Sequence, residues 1–286
     1  MQVFKGHGTE NDFVIVPDLD GELDLTPALV RALCDRHAGV GGDGVLRVVR
    51  SENAPETASA RPPRYRDFMT GEFFMDYRNA DGSIAEMCGN GVRVFVRYLQ
   101  QAGLAGDEVA VATRGGIKQV RTSGSELTVQ MGEPVVCVDR PKVTPQGGQP
   151  LESLAHVEMP NPHVVVPVDS AQALAALDLT QPPTLEVPLP HGQNVEFIHR
   201  AGPRHLAMRV HERGVGETRS CGTGICAVVA AVASAESIRD GEPWTVDVPG
   251  GRTSVAWDGG SQIELTGPAV VLAEISVDDA WLAGYR

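Results

Sequence analysis

The chain has 286 residues, 42% of them hydrophobic, with 32 glycines and a formal net charge of -13. That length suits one large or two medium domains with ample apolar material for a core, and the composition excludes a disordered chain. The acidic balance makes nucleic acid a poor partner, because phosphate binding needs clustered Lys and Arg. No stretch reaches the ~20 apolar residues of a membrane span, and Met1–Phe13 carries no apolar signal segment, so a cytoplasmic protein acting on a small molecule is expected.

In chain order, strand-like runs are expected at Phe13–Val16, Val45–Val49, Phe73–Tyr77, Val109–Ala112, Leu127–Met131, Val164–Val168, Val195–Ile198, Leu206–Val210, Thr245–Val248 and Thr253–Trp257. Thr26-Pro27 has the form of an N-cap and first helical residue, so Pro27–Arg36 is expected to be a helix on which Cys34 packs. The Ala-, Pro-, Ser- and Glu-rich run Ser51–Arg66 is expected to be a surface loop. The glycines of Gly39–Gly44 follow a helix rather than a strand, which argues for a turn and against a nucleotide-binding loop.

Cysteines stand at 34, 88, 137, 221 and 226. An odd number without a CxxC pair argues against a disulfide framework and against a zinc knuckle, and no metal site is expected. Only Lys5, Lys118 and Lys142 are available for the Schiff base of a pyridoxal-phosphate enzyme, so that cofactor is not expected either.

An internal match separates two of these cysteines from the rest. Met87-Cys88-Gly89-Asn90-Gly91 and Ser220-Cys221-Gly222-Thr223-Gly224 lie 221 − 88 = 133 residues apart. After each Cys-Gly-x-Gly the apolar residues keep helical spacing: Val92, Phe95, Val96, Leu99 in one copy and Ile225, Val228, Val229, Val232 in the other. A strand-like run and a polar loop precede each. Two repeated halves, each opening a helix with a cysteine, are therefore expected to bring two thiols to one cleft.

A thiol at a helix N-terminus lies beside unpaired N–H groups and the positive end of the macrodipole, which favour thiolate. Gly89, Gly91, Gly222 and Gly224 clear side chains from those N–H groups, leaving them able to hold a carboxylate or a developing enolate. Inverting a stereocentre needs one group to take a proton from one face and another to return one to the opposite face, and a thiolate with a thiol has that form. A lone cysteine is usually a small buried hydrophobe, which is how Cys34, Cys137 and Cys226 are read.

With those residues in view, the ordered runs Gly8-Thr9-Glu10-Asn11-Asp12-Phe13, Asn79-Ala80-Asp81-Gly82-Ser83, Asn161-Pro162-His163, Asn194 and Glu212–Thr218, with the two cysteine motifs, resemble the diaminopimelate epimerase family from Phe4 to about Gly267. The resemblance implies an α/β (α+β) fold of two pseudo-symmetric domains, each a central helix wrapped by mostly antiparallel sheet, with boundaries at 1–131 plus 268–286 and at 132–267. It implies cofactor-independent conversion of LL-2,6-diaminopimelate to the meso isomer, in lysine and peptidoglycan precursor synthesis, with Cys88 and Cys221 as the acid/base pair. It also places Asn11, Asn79, Asn161, Asn194, Glu212 and Arg213 around the substrate, with the backbone at Gly89, Asn90, Gly222 and Thr223 on the reacting carboxylate, and it puts His163 and Glu212 where they would tune the thiols.

Two departures from the family pattern stand out. Gly42-Asp43-Gly44 replaces a bulkier residue and a substrate-contacting Gln, and Met159-Pro160 precedes Asn161 where a small residue is usual. Proline racemases and hydroxyproline epimerases share the Cys-Gly-Thr-Gly piece, so those substrates stay open, as do a thiol redox protein and a non-catalytic binding protein on the same fold. A homodimer is the working expectation for assembly.

Overall fold

The computed structural model describes residues 1–54, 71–159, 161–190 and 192–285. The chain divides into two compact units, Met1–Val129 with Pro268–Arg286, and Gln130–Gly267.

The first unit opens on a hairpin of β1 (Gln2–Gly8) and β2 (Asn11–Pro17). Its two-residue turn, Thr9 and Glu10, has φ of 50° and 59°. Positive φ at both positions matches the right-handed twist of the flanking strands, although a β-branched Thr rarely adopts it. Helix α1 (Pro27–Cys34) follows, with Thr26 Oγ1 accepting from Leu29 N at 3.1 Å and with Leu29, Val30, Leu33 and Cys34 buried. It ends two residues before the expected Arg36, because Asp35 is extended and its carboxylate accepts from the N–H groups of His37 and Ala38, at 2.7 and 2.8 Å.

The unit continues through β3 (Gly44–Arg50), β4 (Phe73–Asn79), α2 (Gly89–Gln101), β5 (Glu108–Thr113), β6 (Gly116–Ser123) and β7 (Glu126–Gly132). The C-terminal strand Val270–Ser276 pairs with β1. Of the expected loop Ser51–Arg66, Ser51–Asn53 form a single 3-10 turn, and residues 55–66 lie outside the described residues.

The second unit holds β8 (Val135–Val136), β9 (Lys142–Thr144), β10 (Leu151–Glu152), β11 (Ala155–Glu158), β12 (Pro162–Pro167), α3 (Ala171–Ala176) and β13 (Thr184–Leu185). Next come β14 (Asn194–Gly202), β15 (His205–Glu212), β16 (Gly216–Thr218), α4 (Gly222–Ala235), β17 (Trp244–Val248), β18 (Gly251–Ala256) and β19 (Ile263–Pro268).

The pairings repeat. From the C-terminal strand through β1 to β7 the successive pairs run antiparallel, antiparallel, parallel, antiparallel, parallel, antiparallel, antiparallel. The order β8, β11, β12, β14, β15, β17, β18, β19 gives the same sequence of orientations. Each sheet wraps its own helix: α2 packs against β1 to β6 and the C-terminal strand, and α4 against β8, β11, β12, β14 and β18. Val92, Phe95, Val96 and Leu99 of α2, and Ile225, Val228, Val229 and Val232 of α4, are all buried. α4 is built largely from Ala, Val and Gly and is covered on nearly every side, as an all-round apolar helix must be. Among the described residues, no helix is long and apolar enough to cross a membrane.

Candidate active site

In the first unit, parallel and antiparallel registers set Phe13 beside Gly44 and Gly44 beside Asn79. Cys88 is the N-cap of α2, extended at φ -139° and ψ 119°, with its Sγ accepting from Gly91 N at 3.4 Å. Sγ also lies 3.6 Å from Asn11 Oδ1. That oxygen accepts from Asn90 Nδ2 at 3.2 Å, while Asn11 Nδ2 donates to Asp43 Oδ2 at 2.7 Å. Arg93, fully buried on the same helix, donates to Asn90 Oδ1 at 2.8 Å. A line of hydrogen bonds from Arg93 through Asn90 and Asn11 to Asp43 thus fixes both side-chain amides beside the thiol.

The departure at 42–44 has a local reason. A Cβ on Gly44 would stand 2.5 Å from Arg78 O and 2.7 Å from the Tyr77 ring, so this backbone leaves no room for a side chain there. Asp43, one residue earlier, is the group that meets Asn11. Asn79 is held apart from this line: its Nδ2 donates to Ser83 Oγ at 3.0 Å and its N–H to Ser83 O at 2.9 Å.

In the second unit the equivalent strands carry different chemistry. His163 on β12 sits beside Asn194 on β14, and the next row pairs Val195 with His211. His163 Nδ1 is 2.6 Å from Glu196 Oε1 and its Nε2 is 3.1 Å from Asn161 Oδ1. Asn194 Oδ1 accepts from Arg213 N at 2.9 Å, which turns Asn194 Nδ2 toward His163 Nδ1, 3.4 Å away. His163 and Glu196 are fully buried, and Glu196 Oε2 has no hydrogen-bond partner among the described residues. Glu212 accepts from Thr218 Oγ1, and its charge acts on Cys221. Cys221 is the N-cap of α4, and its Sγ is 3.5 Å from Thr223 Oγ1.

The thiol at this second helix start departs from the expectation that a helix N-terminus favours thiolate. Burial, then the charges of Glu212 and Glu196, push the Cys221 thiol well above its ordinary value, and the hydrogen bonds of Thr223 and Gly224 only partly oppose them. The physical reason is one of scale. A helix terminus contributes ~0.3–2 kcal/mol, whereas desolvating an anion beside two carboxylates costs several times that. Glu212 is shifted the same way: burial raises its carboxyl and Glu196 adds to it, against the Thr218 hydrogen bond and the His163 charge.

Glu196 was not singled out in the sequence. Within Asn194-Val195-Glu196-Phe197 it reads as one polar residue in a strand. The signal that finds it is the repeat: Ile15 pairs with Leu46 as Val165 pairs with Glu196, and both face a helix glycine. A Cβ on Gly91 would meet Leu46 Cδ2 at 3.1 Å, and one on Gly224 would meet Glu196 Oε1 at 2.6 Å.

Glu212 and Arg213 part company. Glu212 turns inward, whereas the exposed Arg213 lays its stem over Gly192, where a Cβ would stand 2.9 Å from its Cδ. Arg213 lines a cleft of about 370 Å³ with Pro182, Pro183, Gln193, His211 and Val215. Met159 is buried and its N–H donates to Asn161 O at 2.9 Å, while Pro160 lies outside the described residues.

All five cysteines are free thiols. Cys34 packs in the core around α1, and burial pushes its thiol up to about 12; Cys226 is buried on α4. Cys137 lies near Asp139 and His156, and His156 bridges Asp139 and Glu158, at 2.9 Å to each. Lys5 is tied to Asp12, Lys142 is paired with Glu152, and Lys118 is buried on β6.

Residues 3–137 and 155–272 match the family model described as diaminopimelate epimerase. The chain is 51% identical over 290 residues to the diaminopimelate epimerase of Streptomyces coelicolor, covering 98% of this chain and 96% of that one. Among solved structures, a phenazine biosynthesis protein of the PhzF family from Bacillus anthracis aligns with a TM-score of 0.69 at 18% identity, over 97% of this chain and 99% of the other. A probable proline racemase from Agrobacterium radiobacter K84 aligns with a TM-score of 0.66 at 17% identity, over 97% and 93%. At those identities the two structures bear on the fold, which is the mixed, sheet-rich α/β fold they share.

Proposed function

We infer that this chain, which belongs to the diaminopimelate epimerase family, interconverts LL- and meso-diaminopimelate in lysine biosynthesis by direct proton transfer at the α-carbon between two thiols. The observation that carries the reading is the duplicated cysteine at a helix start. Cys88 and Cys221 are each the N-cap of a buried helix whose first turn is Gly-x-Gly.

On this reading one thiolate removes the α-proton and the other thiol supplies a proton to the opposite face, each serving as base in one direction and acid in the other. The carbanion has enolate character, and the N–H groups at Gly89-Asn90 and Gly222-Thr223 offer donors for its carboxylate oxygens. Asn11 and Asn90, locked by Arg93 and Asp43, hold the first thiol's surroundings fixed. Arg213 suits the distant carboxylate, which its guanidinium can take with two parallel bonds. Asn161 and Asn194 supply amide donors and acceptors for the distant end. Asn79 is a weaker candidate than the other asparagines, since its side chain is engaged by Ser83. The charge of Glu212 favours the protonated Cys221 thiol, and the His163 charge lowers the Glu212 carboxyl. No step calls for a metal or pyridoxal phosphate.

The reading is tested by incubating the protein separately with LL-diaminopimelate, L-proline and trans-4-hydroxy-L-proline and resolving the stereoisomers. Epimerisation of diaminopimelate alone is expected. Turnover of either proline substrate in its place would reject the substrate assignment.

A further inference from the structure

Apart from the two helix starts, the second unit gathers Cys137, Asp139, His156 and Glu158 at one end of its sheet. β8 and β11 run antiparallel with Val136 beside Val157, and the ladder extends one step further, because Cys137 N–H donates to His156 O at 2.8 Å. Cys137 thus stands opposite His156, and alternation along β11 puts Glu158 on the same face as His156. That face is turned away from α4. His156 pairs with Val164, which belongs to the apolar core that includes Leu174 of α3, whereas Ala155 and Val157 pair with Val165 and His163 on the side of α4.

His156 is buried, with Nδ1 2.9 Å from Asp139 Oδ2 and Nε2 2.9 Å from Glu158 Oε1. A neutral imidazole has one N–H, so one of two carboxylates set on its two nitrogens faces a lone pair unless a further positive group lies between them. The Cys137 sulfur completes a set of three, since ligand atoms of Cys137, Asp139 and His156 all lie within 4.8 Å of one another.

We propose that Cys137, Asp139 and His156 bind a divalent cation of the zinc type through Sγ, a carboxylate oxygen and Nδ1, with Glu158 holding the ring by Nε2 and a fourth position left to water.

The donor set selects the ion. Thiolate with imidazole and carboxylate suits Zn²⁺, whereas Mg²⁺ and Ca²⁺ take oxygen ligands. Ligands roughly 2.0–2.3 Å from a tetrahedral ion stand about 3.3–3.6 Å apart, so the Asp139 and His156 atoms have to part by a few tenths of an ångström and the sulfur to close by about 1 Å at most. Asp139, with its side chain 53% exposed, is free to make that adjustment and leaves the ion a way in from solvent. Glu158 is the independent sign of a ligand. A metal-bound histidine characteristically donates its other ring N–H to a carboxylate, which fixes the tautomer with the lone pair on the nitrogen that meets the ion. On binding, the Cys137 thiol releases its proton to water, and the ion's two charges balance the thiolate and the Asp139 carboxylate. No zinc-type spacing announces such a site in the sequence, because Asp139 and His156 stand 17 residues apart on neighbouring segments. Bound there, the ion ties the chain after β8 to β11, the strand that leads into Asn161 and His163.

Co²⁺ is the probe, because a cobalt–thiolate bond gives a charge-transfer absorption that oxygen and nitrogen ligands do not. Wild type and a Cys88→Ala/Cys221→Ala double variant are stripped with chelator and titrated with Co²⁺. Both are expected to develop the sulfur-to-cobalt band, and Zn²⁺ is expected to abolish it by displacement. Cys137→Ser, a change of one atom at a half-buried position, should fold as wild type does by circular dichroism and show no band. Calorimetry with Zn²⁺ should find Glu158→Gln ~10–100-fold weaker than wild type. Zn²⁺ should also raise the Tm of wild type and leave that of Cys137→Ser unmoved.

A band that survives in Cys137→Ser, or an unchanged Zn²⁺ affinity in Glu158→Gln, would overturn the proposal. So would a band lost from the double variant, which would put the ion on the helix-start thiols, and a wild type that binds neither metal, which would leave a second proton as the cation beside His156. None of these readouts depends on epimerisation, so the two-thiol reading stands or falls separately.

Discussion

Adding one methyl group to each helix-start glycine should have very different consequences in the two units. In Gly91→Ala the new Cβ meets Leu46 Cδ2 at 3.1 Å, the free end of an apolar side chain that can yield by a few tenths of an ångström. A helix position gains up to ~1 kcal/mol from Ala over Gly, so the net change should lie within ~1 kcal/mol of zero. In Gly224→Ala the new Cβ stands 2.6 Å from Glu196 Oε1 and 3.2 Å from both its Cδ and its Cγ, so the whole carboxyl arm must move. Moving it breaks a fully buried 2.6 Å contact with His163 Nδ1.

A charge-assisted hydrogen bond is worth ~1.5–3 kcal/mol and overpacking costs ~1–3 kcal/mol, so even after the helix gain Gly224→Ala should lose roughly 2–4 kcal/mol. Urea unfolding of both variants beside wild type, followed by far-ultraviolet circular dichroism, measures the difference. A Gly224→Ala midpoint equal to or above that of Gly91→Ala would refute the reasoning, because it would mean that Glu196 does not fill the space under the first turn of α4.

Other expectations follow from the same geometry. Asn11→Ala should cost ~1–3 kcal/mol of stability, since it removes the hydrogen bonds that Asn11 makes to Asn90 and Asp43, and thermal unfolding reads that loss directly. Thr26→Ala removes the cap of α1 and should cost ~1 kcal/mol in the same assay. For Asp12, burial pushes the carboxyl up, but hydrogen bonds from Arg36 and Lys5 outweigh it and hold the group at about 2. A depressed folded-state value stabilises above the unfolded pKa and loses that contribution as pH falls through the folded one. Asp12→Asn should therefore destabilise at neutral pH, with the gap from wild type closing between about pH 4 and pH 2; a gap that stays constant over that range would contradict the assignment.

Much of the molecule was legible in the sequence because the two halves carry the same pattern. The ten expected strands and the helix after Thr26 have their counterparts in the structure, and the apolar spacing after each Cys-Gly-x-Gly gives two buried helices. Two of the strands that the expected runs leave out show the physical reason. β1 alternates with Gly, Lys and His and becomes a strand by pairing on both sides, and the C-terminal strand shows only half-buried residues on one face. Chemistry was harder to read than backbone. Cysteine at a helix start reads as acidic, yet burial and two carboxylates reverse that for Cys221, and those carboxylates arrive from β14 and β15, 25 and 9 residues earlier in the chain (221 − 196 and 221 − 212). Carrying the repeat from the helices into the strands, so that Leu46 is set against Glu196, would have exposed the asymmetry.

The central claim is direct proton transfer by two thiols, and solvent deuterium at the α-carbon tests it most directly. LL-diaminopimelate is incubated in D₂O with wild type, Cys88→Ala and Cys221→Ala, without added cofactor. Deuterium entering at the epimerised centre in wild type, with epimerisation lost in both variants, is the predicted result. Epimerisation that continues in either variant, or that proceeds in wild type without deuterium entering, would contradict it.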